Sequence, residues 1–80
     1  MRITVRMLTS MRKYHPVPGS KDDTCELTLE DGATVQTLLQ TLHVPDNVPK
    51  TVLVNRLYAK LERKLQDDDV VSLLQPVSGG

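Results

Sequence analysis

Only one stretch of this sequence has the spacing of a helix with a single apolar face. Its apolar residues recur at intervals of three, one and three: Val35, Leu38, Leu39 and Leu42. Thr34 is a predicted N-cap, and Pro45 and Pro49 prevent the helix from continuing. The other apolar stretches alternate with polar residues, which is typical of strands. Because one helix can cover one face of a small sheet, we expect a two-layer α+β architecture with a mixed sheet.

The alternating stretches predict the strands. They comprise residues 3–7, 25–29, 52–54 and 70–74, with a minor strand over 57–59. Residues 9–23 are rich in proline and polar residues and show neither the spacing of a helix nor the alternation of a strand. We therefore predict a long surface loop there. Leu61 and Leu65 are interpreted as isolated anchors beneath a charged segment, and residues 66–69 as a polar turn.

Length and charge narrow the class of protein. Eighty residues predict one domain over residues 1–80, with residues 75–80 as a flexible tail. Ten basic residues balance ten acidic ones, and Tyr14 and Tyr58 are the whole aromatic content. The chain thus lacks the net positive charge that favours binding to nucleic acids and anionic membranes. It also lacks a set of aromatic side chains on which nucleic-acid bases could stack. We expect no nucleic-acid partner and no membrane partner.

The cysteine content and the first residues bear on the compartment. Cys25 is the sole cysteine, which excludes an internal disulfide and fits a reducing environment. The first residues alternate, unlike the continuous apolar core of a signal peptide, and no stretch approaches the length of a membrane span. A cytoplasmic protein is the expectation.

The last predicted strand runs directly into a short tail with an unusual composition. That tail is Gln75-Pro76-Val77-Ser78-Gly79-Gly80. Glycine has no Cβ, so a terminal pair of glycines can enter a channel too narrow for any side chain. A frayed chain end or a cloning remnant would explain the same residues without a function.

Apolar residues are expected to gather on the face of the sheet away from the helix. If the first and last strands are central neighbours, the tail leaves from the middle of the sheet. Leu8, Tyr58 and Leu74 would then collect on the uncovered face, which suggests partner docking.

Other residues offer weaker candidate sites. Cys25 alternates with polar neighbours and is interpreted as a small core residue, because no nearby basic pattern would lower its pKa. His15 and His43 lack partners at the spacing of metal ligands, so no metal site is predicted. No pairing of a nucleophile with a base is visible, and we expect no catalytic residues within the chain.

Several short motifs resemble those of the ubiquitin-like sulfur carriers. The resemblance is greatest to the small subunit of molybdopterin synthase (MoaD), with the thiamine sulfur carriers (ThiS) as relatives, and it covers essentially the whole chain. The motifs are Glu30-Asp31-Gly32-Ala33-Thr34-Val35, Val54-Asn55, Leu65-Gln66-Asp67-Asp68-Asp69-Val70 and Pro76-Val77-Ser78-Gly79-Gly80. The resemblance implies a β-grasp fold and a carrier whose own C-terminus is the reactive group.

The resemblance also implies a chemistry. A ubiquitin-activating-type adenylyltransferase would use ATP to convert the carboxylate of Gly80 into an acyl adenylate, and a sulfur donor system would then supply the sulfur of a thiocarboxylate. Pro76, Val77, Ser78 and Gly79 would form the arm that enters the active sites of the partners. The sulfur would pass to a pyranopterin precursor in the molybdopterin synthase large subunit. No cofactor or metal would be bound by the carrier.

The resemblance has two further consequences. Leu8, Tyr58 and Leu74 match positions that contact the partner in the family, although Leu74 stands where phenylalanine is common. Gln75 stands where proline is common and is tolerated in the thiamine carriers, and we count it with these three as a predicted docking residue that helps to decide which partner receives the sulfur. Three alternatives therefore stay open: sulfur delivery to thiamine or another metabolite, a ubiquitin-like modifier that joins Gly80 to lysines, and a plain interaction module.

Overall fold

The computed structural model describes residues 1–17, Gly19 and residues 21–76. Its elements follow one another in the order β1 (Arg2–Met7), a 3-10 helix η1 (Thr9–Tyr14), β2 (Thr24–Thr28), α1 (Val35–Thr41), β3 (Thr51–Val54), β4 (Leu57–Tyr58) and β5 (Val70–Leu74). The predicted strands and helix are all present, with boundaries that differ by a residue or two.

The five strands form one sheet in the order β2-β1-β5-β3-β4. β1 and β5 run parallel, with Val5 opposite Val71, and the other pairs of strands are antiparallel. The first and last strands are therefore neighbours, and β5 lies in the middle of the sheet. The chain that follows Leu74 leaves the sheet from its centre.

One face of the sheet and the helix enclose the core. Alternate residues of the three inner strands are buried on this face: Ile3, Val5 and Met7 of β1, Val52 and Val54 of β3, and Val71 and Leu73 of β5. Val35, Leu38 and Leu39 of α1 belong to the same cluster. This is the predicted two-layer α+β arrangement, since the apolar stripe of one helix meets the apolar face of one sheet.

The free N–H groups at the N-terminus of α1 are capped by two side chains and by main-chain carbonyls from a distant segment. Thr34 and Thr37 form a capping box, in which the Thr37 N–H donates to Thr34 Oγ1 at 3.3 Å and the Thr34 N–H donates to Thr37 Oγ1 at 3.2 Å. The N–H groups of Val35 and Gln36 donate to main-chain carbonyls of residues 63 and 61, each at 3.0 Å. The predicted N-cap is confirmed. The charged segment, residues 61–64, supplies main-chain carbonyls that accept from the first N–H groups of α1.

Two predictions about local structure are wrong. Residues 9–14 form a 3-10 helix in which Met11 is only 1% exposed and Tyr14, three residues later, packs against the same core. Leu61 is 40% exposed and does not act as an anchor, whereas Leu65 is 4% exposed and does.

None of the helices among the described residues is both long enough and apolar enough to cross a membrane.

Candidate functional site: the open face of the sheet

The face of the sheet opposite α1 carries the outward residues of all five strands. Strand register places one row of these residues side by side: Thr24, Arg6, Ser72, Leu53 and Tyr58. Directly opposite residues in neighbouring strands point to the same side of a sheet, so this row crosses its full width. We call this surface the open face.

Three of the four predicted docking residues, Leu8, Tyr58 and Leu74, lie on the open face, and the fourth, Gln75, follows directly after Leu74. Leu8 follows β1 with extended backbone and is half-buried, and its N–H donates to the Leu73 carbonyl at 3.0 Å. Leu74 is half-buried at the end of β5, opposite Thr51. Tyr58 is 84% exposed on the edge strand β4. A leucine directly after β1, a leucine at the end of the neighbouring strand β5 and a tyrosine on the edge strand thus share one surface.

The first residue of the tail is held by a contact that the sequence did not predict. Ser10 Oγ in η1 donates to Gln75 Oε1 at 2.7 Å. The two residues lie 65 positions apart, so only the folded chain brings them together. Pro76 follows and is half-buried. The remaining predicted tail residues, Val77, Ser78, Gly79 and Gly80, lie outside the described residues.

A shallow cleft opens on the same face beside β5. Its cavity of about 300 Å³ is lined by Arg6, Asn55, Arg56, Val70 and Ser72. Both arginines are exposed. Sequence reasoning missed this cleft, although the alternation that buries Val5 and Met7 also directs Arg6 outward.

Cys25 lies on the opposite, core side of β2. It stands across from Val5 and packs against the core. Burial raises the pKa of its thiol, which disfavours the reactive thiolate. The structure therefore supports the interpretation of Cys25 as a core residue. Within the described ranges, no group of three or more His, Cys, Asp or Glu residues lies close enough to hold a metal ion.

The sheet order, the single covering helix and the central last strand define a β-grasp, ubiquitin-like protein. The model of the ThiS family matches residues 14–80, and the chain belongs to this family of ubiquitin-like sulfur carriers. No curated protein gives a significant sequence match. The fold and family predicted from the sequence motifs are thus confirmed.

Three solved structures illustrate the similarity of the fold. SAMP1 from Haloferax volcanii is 20% identical, with a TM-score of 0.76 and 100% of both chains covered. A candidate molybdopterin converting factor subunit 1 from Pyrococcus furiosus is 21% identical, with a TM-score of 0.75 over 95% of this chain and 98% of that one. A chain in the complex of subunits 1 and 2 of molybdopterin-converting factor from Helicobacter pylori is 23% identical, with a TM-score of 0.63 and 100% of both chains covered. At these identities the matches establish the fold.

Proposed function

We propose that this chain is a sulfur carrier in which the carboxylate of Gly80 is converted into a thiocarboxylate. The observation that carries the proposal is that the tail continues directly from β5, the central strand of the sheet. Membership of the ThiS family supports the same chemistry. The role of the sheet and helix is then to present the C-terminal residues to partner proteins.

The chemistry requires activation of a poor acyl donor. A carboxylate oxygen of Gly80 attacks the α-phosphorus of ATP in the activating enzyme, and pyrophosphate leaves. Sulfide from a sulfur donor then attacks the acyl carbon, the bond to the AMP oxygen breaks, and a thiocarboxylate and AMP result. The nucleotide and the catalytic side chains belong to the enzyme, so the carrier itself contributes the reacting carboxylate and the arm.

The residues of the arm have two proposed roles, which are to extend it and to limit its disorder. Pro76 fixes one backbone angle and limits the disorder at the base of the arm. Val77 and Ser78 extend it, and Gly79 lets the terminus pass through a constriction that a Cβ would block. The hydrogen bond from Ser10 to Gln75 supports the second role, because it ties the base of the arm to the folded domain.

The proposed receiver of the sulfur is the large subunit of molybdopterin synthase. The Helicobacter relative of the same fold was solved as a complex of subunits 1 and 2. In this chain Leu8, Leu74 and Tyr58 offer apolar area on the open face, and Leu74 directly precedes the tail. We propose that the large subunit covers this face and receives the tail in its active site, where the sulfur enters molybdopterin.

Two alternative functions also have support. The fold similarity to a small archaeal modifier protein favours a modifier whose Gly80 forms an isopeptide bond with lysines of target proteins. The family match and Gln75 favour delivery of sulfur to the thiazole of thiamine. We further propose a cytoplasmic location, which the single cysteine fits.

The proposal is tested by intact-mass spectrometry. The chain is incubated with ATP, sulfide and the activating enzyme from the same organism, and we expect one oxygen at the C-terminus to be replaced by sulfur. Two variants serve as controls: deletion of Gly80 and addition of one alanine after Gly80. Both should abolish loading without changing the melting temperature, because neither changes a residue of the sheet, the helices or the core.

The loaded chain is then supplied with the large subunit and the pyranopterin precursor. Formation of molybdopterin supports the proposed pathway. Absence of sulfur loading with the cognate enzyme would contradict the carrier function. Covalent adducts of higher mass on other proteins, dependent on Gly80, would instead favour the modifier.

A further inference from the structure

The cleft beside β5 combines two arginines with the outward side of a central strand. Arg6 on β1 lies directly opposite Ser72, and Val70 stands two residues before Ser72 on the same side of β5. Arg56 occupies the two-residue turn between β3 and β4 and lines the opposite wall. Leu74 continues the outward side of β5 past the cleft, so the charged cleft adjoins the apolar part of the open face.

Neither arginine makes an ion pair with another described residue. The acidic residue of β2 on the open face is Glu26, and its carboxylate lies 3.9 Å from Nε of Arg2. The carboxylate below the turn is Asp69, which accepts from the Asn55 side chain and from the Gln66 N–H. Glu26 thus lies nearest to Arg2, Asp69 is bonded to Asn55 and Gln66, and both guanidinium groups of the cleft are on exposed residues.

The backbone conformation of the turn fixes where Arg56 is placed beside the cleft. Asn55 has φ 51° and Arg56 has φ 73°, the signs that a type I′ hairpin turn requires. Asparagine tolerates this conformation, and glycine is strongly preferred at the second position. A long side chain with a Cβ is unfavourable there. Glycine would fit the turn better, so Arg56 holds its guanidinium beside the cleft against a local backbone preference.

We propose that Arg6 and Arg56 together bind an acidic side chain, aspartate or glutamate, of the large subunit that covers the open face. The inference rests on the proposed function and adds the chemistry of the partner at one point of contact. Guanidinium groups bind carboxylates through paired hydrogen bonds, and they gain strength when the interface excludes water. The apolar residues Leu8 and Leu74 provide that exclusion beside the cleft. The pair fixes how the two proteins align, so that the tail enters the active site.

The test measures binding of the large subunit from the same organism by isothermal titration calorimetry at low and high salt. The variants are Arg6→Gln, Arg56→Gln and the double variant. Arg63→Gln is the matched control, because Arg63 is exposed on the 61–65 segment that pairs with the start of α1, away from the cleft. We expect the double variant to weaken binding roughly 5- to 30-fold and to bind with less dependence on salt. The control should bind like the wild type.

Arg56→Gly separates this role from a structural one. The substitution creates the preferred Asn-Gly turn and removes the guanidinium. We expect the melting temperature to rise by about 4 °C while binding weakens as in Arg56→Gln. Undiminished binding of Arg56→Gly to the large subunit would show that the guanidinium makes no contact there, and it would overturn the proposal.

The outcomes distinguish this inference from the proposed function. If the wild type loads sulfur and binds the large subunit but the arginine variants bind equally well, the inference alone is overturned. If the wild type does not bind the large subunit, the inference and the proposed partner fail together. If the arginine variants lose affinity for the activating enzyme only, the assignment to the large subunit is wrong.

Discussion

The side-chain amide of Asn55 donates to the buried carboxylate of Asp69 at 2.9 Å and so joins the β3–β4 turn to the start of β5. The second carboxylate oxygen of Asp69 accepts from the Gln66 N–H at 2.8 Å, and Asn55 Oδ1 accepts from the Val70 N–H at 3.0 Å. Asp69 is only 6% exposed. The polar turn predicted over residues 66–69 therefore contains one residue that belongs to the interior.

Replacement of Asp69 should destabilise the protein strongly. Asp69→Ala leaves a donor on Asn55 and one on Gln66 without an acceptor, and we expect a loss of about 2–3 kcal/mol in the free energy of unfolding. Urea denaturation measures the loss. Asp46→Ala is the control, because Asp46 is exposed and its change should stay within about 0.5 kcal/mol. Equal effects of the two variants would contradict the structural role of Asp69.

Two threonines of the helix region should respond differently to alanine. Thr34→Ala removes the oxygen that accepts from the Thr37 N–H, with an expected cost of about 1 kcal/mol. Thr41→Ala removes a hydroxyl that only donates back to the Thr37 carbonyl on an exposed surface, and it should be nearly neutral. Thermal melts of both variants check the difference. The capping box is not important for stability if both melt like the wild type.

The 3-10 helix depends on one buried side chain. Met11 is 1% exposed, so Met11→Ala should leave a cavity and cost about 2–4 kcal/mol. Lys13→Ala, in the same helix but exposed, is the control and should cost little. Chemical denaturation of the two variants measures this. A loss of less than about 1 kcal/mol for Met11→Ala would show that the helix does not need this anchor.

A charge on the open face should weaken docking without unfolding the chain. Leu74→Glu places a carboxylate among apolar contacts of the proposed interface, and we expect about a 10-fold or greater loss of affinity for the large subunit. Leu61→Glu introduces the same charge at a residue that is 40% exposed and outside the strands. Binding assays and melting temperatures are compared. Equal affinities of the two variants would reject Leu74 as a docking residue.

Cys25 should react slowly while the protein is folded. Burial raises the pKa of its thiol, so less thiolate is present at a given pH than in the unfolded chain. We expect slow alkylation by iodoacetamide in buffer and fast alkylation in urea, followed by mass spectrometry. Cys25→Ser has no thiol, so it measures the background level of alkylation at other residues. Equal rates in the two solvents would contradict the packing of Cys25 against the core.

The same pKa shift predicts a sign for the dependence of stability on pH. Above the ordinary thiol pKa the unfolded chain has released the proton while the folded chain still holds it, so the free energy of unfolding falls as pH rises through that range. Denaturation of wild type and Cys25→Ser at several alkaline pH values isolates the contribution of this thiol. The wild type should lose stability more steeply than the variant.

Local patterns in the sequence predicted most of the secondary structure. Alternation identified the strands because successive side chains of a strand point to opposite faces, and the Val35 to Leu42 spacing with Thr34 identified the helix. The same reasoning failed for Met11, because a period of three over two turns is too short to stand out among polar residues. It also failed for Leu61, since a hydrophobic residue need not be buried.

The sequence by itself determined the class of the protein: the alternating strands, the single helix and the motifs around Asp31-Gly32 and Gly79-Gly80 led to the fold and the family. Only the tertiary structure decided which distant residues meet. The contact of Ser10 with Gln75, the bond of Asn55 to Asp69 and the cleft between Arg6 and Arg56 all depend on strand order and register. Those are set by the packing of the whole core, so no local pattern in the chain encodes them.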